Sequence, residues 1–138
     1  MLSYREHFKP SPARPPGLSQ PCAILATAAI AADSDAEAER IAASAELHYV
    51  RRAKGEYLPL ESPEAAAAYP YSAVDRERMA RHRARLAIGS ALTVKNRLLS
   101  LAAATRADEV MLTTMVYDHA ARRHSYELLA DVFGLRRG

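Results

Sequence analysis

This chain has little of three things: cysteine, excess charge of one sign, and unbroken hydrophobic length. One cysteine, Cys22, occurs in 138 residues. That excludes an internal disulfide framework and fits a reducing, cytoplasmic setting. Cys22 opens an apolar run and reads as a small core residue. Lys and Arg total 19 against 16 Asp and Glu, giving a net charge of +3 and a pI near 9.2. This is far from the concentrated basic face of a nucleic-acid binder. The basic stripe of Arg78, Arg81, His82 and Arg85 lacks interleaved aromatics and is flanked by Asp75 and Glu77. A solvated helix face is expected there, and no nucleic-acid partner. No segment reaches the ~20 apolar residues of a membrane helix, so no membrane partner is expected either.

The length suits one domain with a real core. It falls short of the ~250 residues of an eight-fold strand–helix barrel. Residues 1–21 form a lead-in with five prolines at 10, 12, 15, 16 and 21, read as extended and coreless, with Tyr4–Phe8 as the tail of a helix. Cys22–Ala32 is apolar and follows Arg5, Lys9 and Arg14, a pattern shared with secretory leaders. Glu6 and the prolines argue against a leader, and a strand apolar on both faces is expected.

Ser34 and Glu37 have the spacing of a capping box. A helix is expected from there to about Arg52, inward along Ala38, Ile41, Ala42, Ala45 and Tyr49. Residues 55–85 break the rhythm and read as an insertion with two short helices, started by Ser62-Pro63 and by Ser72 with Asp75. Tyr57, Tyr69 and Tyr71 would anchor it. A short strand over Arg85–Gly89 follows, then a helix capped by Ser90 with Val94, Leu98, Leu101 and Ala102 inward. Glu109–Val116 reads as a strand covered on two sides. The last helix starts at Asp118 or His119 and buries Ala121, Leu128, Leu129 and Val132.

Three strand–helix units imply a parallel sheet with open edges, so either oligomerisation or a larger parent protein is expected. Ligands of such sheets bind at the carboxyl ends of the strands. There the sequence places Gly89-Ser90, whose amides at a helix start could meet an anion, and Tyr117-Asp118, which could line a pocket. Asp118 is equally a helix cap. A metal set of Asp118, His119 and His124 is disfavoured, because histidines five apart do not share a helix face.

Five pieces occur in one order. They are Tyr4-Arg5-x-x-Phe8-x-Pro10-Ser11, Ile30-Ala31-Ala32-Asp33-x-Asp35-x-Glu37-Ala38, Ile88-Gly89-Ser90, the stretch from Ala107-Asp108-Glu109 through Met111 and Thr113-Thr114 to Val116-Tyr117-Asp118, and Arg122 with Ser125-Tyr126-x-Leu128-Leu129-Ala130. Together they resemble the carboxyl-terminal part of bacterial-luciferase-like flavin-dependent monooxygenases, the single-subunit group. The resemblance implies an α/β fold in which these strands are the sixth to eighth of a TIM-type (β/α)8 barrel, with residues 55–85 as a mobile loop. It implies a reduced flavin such as FMN, O2 and a small organic substrate. The family's main flavin contacts and catalytic groups lie on earlier strands, so no catalytic residue is assigned; Tyr117, Asp118, Gly89 and Ser90 are pocket-lining candidates. Ala91-Leu92 stands where the family carries Pro and an acidic residue, which puts Ser90's role in doubt. The rival reading is a non-catalytic half-barrel module for binding or assembly, as a homo-oligomer or with a missing amino-terminal half.

Overall fold

The structure, a computed structural model, describes residues 1–10 and 17–135. The lead-in positions Ser11, Pro12, Arg14, Pro15 and Pro16 lie outside the described residues. The order of elements is α1 (Leu2–His7), β1 (Ile24–Ala32), α2 (Asp35–Ala53), α3 (Pro63–Ala68), α4 (Ala73–Arg83), β2 (Ala87–Ser90), α5 (Ala91–Thr105), β3 (Glu109–Thr113) and α6 (His119–Val132). The three strands are parallel and lie in the order β2-β1-β3.

The nine-residue β1 is long enough to serve two neighbours. Ile24–Ala28 pairs with β3, and Ala29–Ala32 pairs with β2. Alternation along the strand then splits the core into two layers. Ile30 and Ala32 pack with Ala38, Ile41, Ala42 and Ala45 of α2. Ala29 and Ala31 pack with Val94 and Leu98 of α5 and Leu129 of α6. The described architecture is therefore a three-layer α/β sheet with helices on both faces. Three consecutive barrel staves would place the first strand at one edge and keep every helix outside, so this order departs from the barrel expectation.

The helix starts follow from their caps. Ser34, Ser62, Ser72, Ser90 and Asp118 each accept from the backbone N–H three residues on, satisfying a donor the helix cannot. The full capping box forms at Ser72 and Asp75. At Ser34 only half of the expected box forms. Glu37 instead takes Arg40 in two bonds of 2.9 Å, and a bidentate charge-assisted pair outcompetes a single backbone donor. The buried face of α2 is wider than the expected stripe: Ser44, Glu46, Leu47 and Val50 are buried as well, because α3 and α4 cover its far side.

Two other expectations need correction. Strand β3 ends at Thr113 and is largely exposed, because no strand flanks its outer side among the described residues. Cys22 is half-buried rather than core, since it precedes the first paired residue of β1. The short α1 buries nothing. It is tied down by Arg5, which donates to the Arg106 carbonyl at 3.0 and 2.7 Å and pairs with Asp108.

Residues 55–85 are held by charge. Lys54 Nζ reaches the buried Asp75 carboxylate at 2.8 Å, and the Ser72 N–H donates to the same oxygen at 3.0 Å. These contacts, led by the lysine, hold the Asp75 carboxyl down at about 2 from its usual 3.8. A carboxyl with a depressed folded-state pKa contributes stability above its unfolded pKa and loses it as pH falls toward the folded value. Asp75→Asn is expected to lower the melting temperature at neutral pH. The gap to the parent chain should close as pH falls from about 4 toward about 2. A gap that stays constant over that range in thermal melts would sink the assignment.

Gly89 tests the sheet's carboxyl end. Its φ is +150°, and an added Cβ would stand 2.6 Å from Thr93 Cγ2 and 2.8 Å from Asp35 Oδ1. Gly89→Ala is expected to cost about 1–3 kcal/mol in urea unfolding. Thr93→Ser, which removes that methyl, should recover part of the loss.

Candidate functional site

The carboxyl ends of the strands bring the expected residues to one edge of the sheet. Asp33 and Asp35 follow β1, Gly89-Ser90 closes β2, and Tyr117-Asp118 lies between β3 and α6. Their bonds show what each does. The Ser90 N–H donates to Asp35 Oδ1 at 2.5 Å, and the Ser90 hydroxyl donates to Thr93 Oγ1 at 3.0 Å. The Ser90 amide, with Thr93 and the Ser90 hydroxyl, holds the Asp35 carboxyl below its usual value. A carboxylate of this chain thus occupies the place an incoming anion would need. Asp118 accepts from the Ala121 N–H at 2.7 Å and is a helix cap. Tyr117 is 54% exposed, free to line a ligand.

The disfavoured metal set is not assembled. His124 Nε2 lies 2.8 Å from Asp33 Oδ1, and Arg122 donates to His119 Nδ1 at 2.9 Å. Among the described residues no group of three ligating side chains converges. No described helix is long and apolar enough to cross a membrane.

A cavity of about 260 Å³ lies elsewhere, against the face of the sheet that carries α2. Its apolar lining includes Ile30, Ile88 and Met115. Its polar side comes from helices: His48, Tyr49 and Arg52 of α2 and His82 of α4. The Tyr49 and His82 rings stack at 3.8 Å between centroids and 9° between planes. Burial, then Arg85, pushes the His82 imidazole below its usual pKa and favours the neutral ring. Its Nδ1 is buried with no hydrogen-bond partner among the described residues.

The helix carrying His82 is fixed from below. Arg83 pairs with Glu39 and, at 2.5 Å, with Glu46 of α2; burial pushes the Glu46 carboxyl up. The basic stripe is therefore only partly a solvated face. Arg81 pairs outward with Glu77 at 2.6 Å, while His82 turns in. Tyr69 and Tyr71 pack on each other at 4.9 Å, as loop anchors should, whereas Tyr57 is 75% exposed.

Sequence reasoning missed this pocket. The available signal was the run Ala45, His48, Tyr49, Arg52 at spacings of three, one and three on one face of α2. Nothing in the linear pattern pairs that face with His82.

The chain is 34% identical over 129 residues to a Luciferase-like monooxygenase of Escherichia coli (strain K12), covering 94% of this chain and 37% of that protein. It is 39% identical over 130 residues to the uncharacterized protein YceB of Bacillus subtilis (strain 168), covering 94% of this chain and 38% of that protein. The crystal structure of apo-MsnO8 superposes with a TM-score of 0.84 at 31% identity, over 99% of this chain and 41% of that chain. No protein-family model matches. The chain spans less than two-fifths of the length of these curated relatives, 37% and 38%. Its homologues thus include a luciferase-like monooxygenase.

Proposed function

We propose that this chain is part of a luciferase-like, flavin-dependent monooxygenase that uses a reduced flavin and O2 on a small organic substrate. The observation that carries this reading is the 34% identity to the E. coli monooxygenase, sustained over 94% of the chain. In this reading further strands of the full-length enzyme pair along the free flank of β3, and the chain contributes sheet and pocket wall.

A flavin mononucleotide needs a slot for its ring and donors for its phosphate. The described residues do not fit the second need. At the amino ends of α2, α5 and α6, Ser34, Ser90 and Asp118 each already take one backbone donor, and Asp35 takes the Ser90 amide. Asp33 and Asp35 add negative charge at the same edge, where a phosphate would be repelled. We assign the main flavin contacts to the rest of the enzyme. Ser90, Gly89 and Asp118 keep structural roles, and Tyr117 is the edge residue left to meet a ligand.

A hybrid tests this directly. With this chain replacing the matched segment of the E. coli protein, the hybrid is expected to bind flavin and sustain O2 uptake above that of free reduced flavin. A folded, flavin-binding hybrid with no such uptake would overturn the reading. The chain alone is expected to leave flavin fluorescence unquenched; tight stoichiometric quenching would relocate the flavin contacts to this chain.

A second reading, a non-catalytic assembly module, draws on one observation. Ile24, Met111 and Met115 are 52%, 56% and 45% exposed on and beside β3, an unprotected strand edge. This reading expects a dimer in sedimentation that Met111→Lys dissociates. A monomer at all concentrations removes it.

A further inference from the structure

The pocket beside α2 has a charge asymmetry that the monooxygenase reading does not use. The nitrogen bases on its lining are His48, Arg52 and His82, and no Asp or Glu lines it. Arg52 has no carboxylate partner among the described residues, whereas its neighbour Arg51 is paired with Glu61 at 2.9 Å. Arg52 instead lies over the Tyr57 ring, 5.2 Å from its centroid. His48 and Arg52 are four residues apart on α2 and share a face. The buried His82 Nδ1 is left without a partner, and such a group costs free energy unless something meets it.

The rest of the lining is apolar: Ile30 and Ile88 from the sheet, with Met115, whose thioether suits contact with aromatic rings. The stacked Tyr49 and His82 rings give a flat wall. At about 260 Å³ the cavity lies just below the ~300–1,000 Å³ of drug-sized sites. One or two fused rings fit.

We propose that this pocket binds a small planar aromatic carboxylate, its ring between the sheet and the Tyr49–His82 wall and its carboxylate toward Arg52 and His48. An apolar slot with an unpaired guanidinium and imidazole N–H groups at its polar side selects for an acid over its neutral analogue. The proposal needs only the pocket and stands independently of the flavin reading.

The test is an NMR titration of the intact chain with 2-naphthoate, its neutral counterpart 2-naphthylmethanol, and cyclohexanecarboxylate. Naphthoate is expected to shift the His48 and His82 ring resonances saturably and to bind more tightly than the other two. Arg52→Gln, at an exposed position, is expected to keep the melting temperature and to weaken naphthoate about tenfold while leaving the alcohol within about twofold. Ala28→Leu, which fills the slot, should abolish binding of both. Three results would each overturn the proposal: no shift at millimolar naphthoate, equal weakening of acid and alcohol by Arg52→Gln, or cyclohexanecarboxylate binding as tightly as naphthoate. The Arg52 arm decides the matter even where the Ala28 variant fails to fold.

Discussion

The hydrogen bonding of β1 beyond its ladder with β3 is the constraint on which this structure depends. β1 is longer than either neighbour, and its ladder with β3 ends at Ala28 and Thr113. Past that point its buried backbone groups must still be satisfied. Side chains do it. Thr114 Oγ1 donates to the Ala29 carbonyl at 2.8 Å, and the Ala31 N–H donates to Ser125 Oγ at 2.8 Å. Tyr126 accepts from the Thr114 N–H at 3.0 Å. Helix α6 is thus pinned to the central strand by polar bonds as well as by Leu129, and β3 can stop at Thr113 without leaving β1 unpaired.

The alanines of β1 are the packing counterpart of that arrangement. Ala29, Ala31 and Ala32 are at most 5% exposed, and small side chains let helices approach both faces closely. Leu98 and Val94 on one layer, and Ile41 on the other, then supply volume. A fully buried side chain of that size contributes about 1.5–3 kcal/mol. Substituting larger residues along β1 would push a helix away from one layer, since cores resist added methylenes. The alanine content thus sets the spacing of the layers.

Local features were legible in the sequence and distant pairings were not. Every helix cap named from the sequence, from Ser34 to Asp118, accepts the expected donor, because capping depends on residues three apart. The two apolar faces of β1 were equally readable. The position of β1 in the middle of the sheet was not, since strand order depends on contacts 58 to 85 residues apart, such as Thr27 to Arg85 and Thr114 to Ala29. The exposure of β3 escaped for a related reason: its two apolar faces predict cover on both sides, and among the described residues no strand lies along its outer flank. At the candidate edge, Ser90 and Asp118 were legible both as caps and as ligand groups. The bonds to Thr93 and Ala121 bear out the caps.

The two polar regions of the molecule differ in how their groups are partnered. At the carboxyl edge three donors have acceptors from the chain itself: the Ser90 amide has Asp35, the Ala121 amide has Asp118 and His124 has Asp33. A ligand gains little by replacing bonds already made. Beside α2 the balance is reversed. His82 is placed by Arg83, Glu39 and Glu46 beneath it, so its ring is held in position while its own Nδ1 is unmet. Preorganised but unsatisfied groups are those from which binding draws free energy, because the ordering has been completed in folding. Ser90 and Asp118 thus work as helix caps, Tyr117 stays exposed at the edge, and the partnerless imidazole nitrogen lies where two helices from different parts of the chain meet.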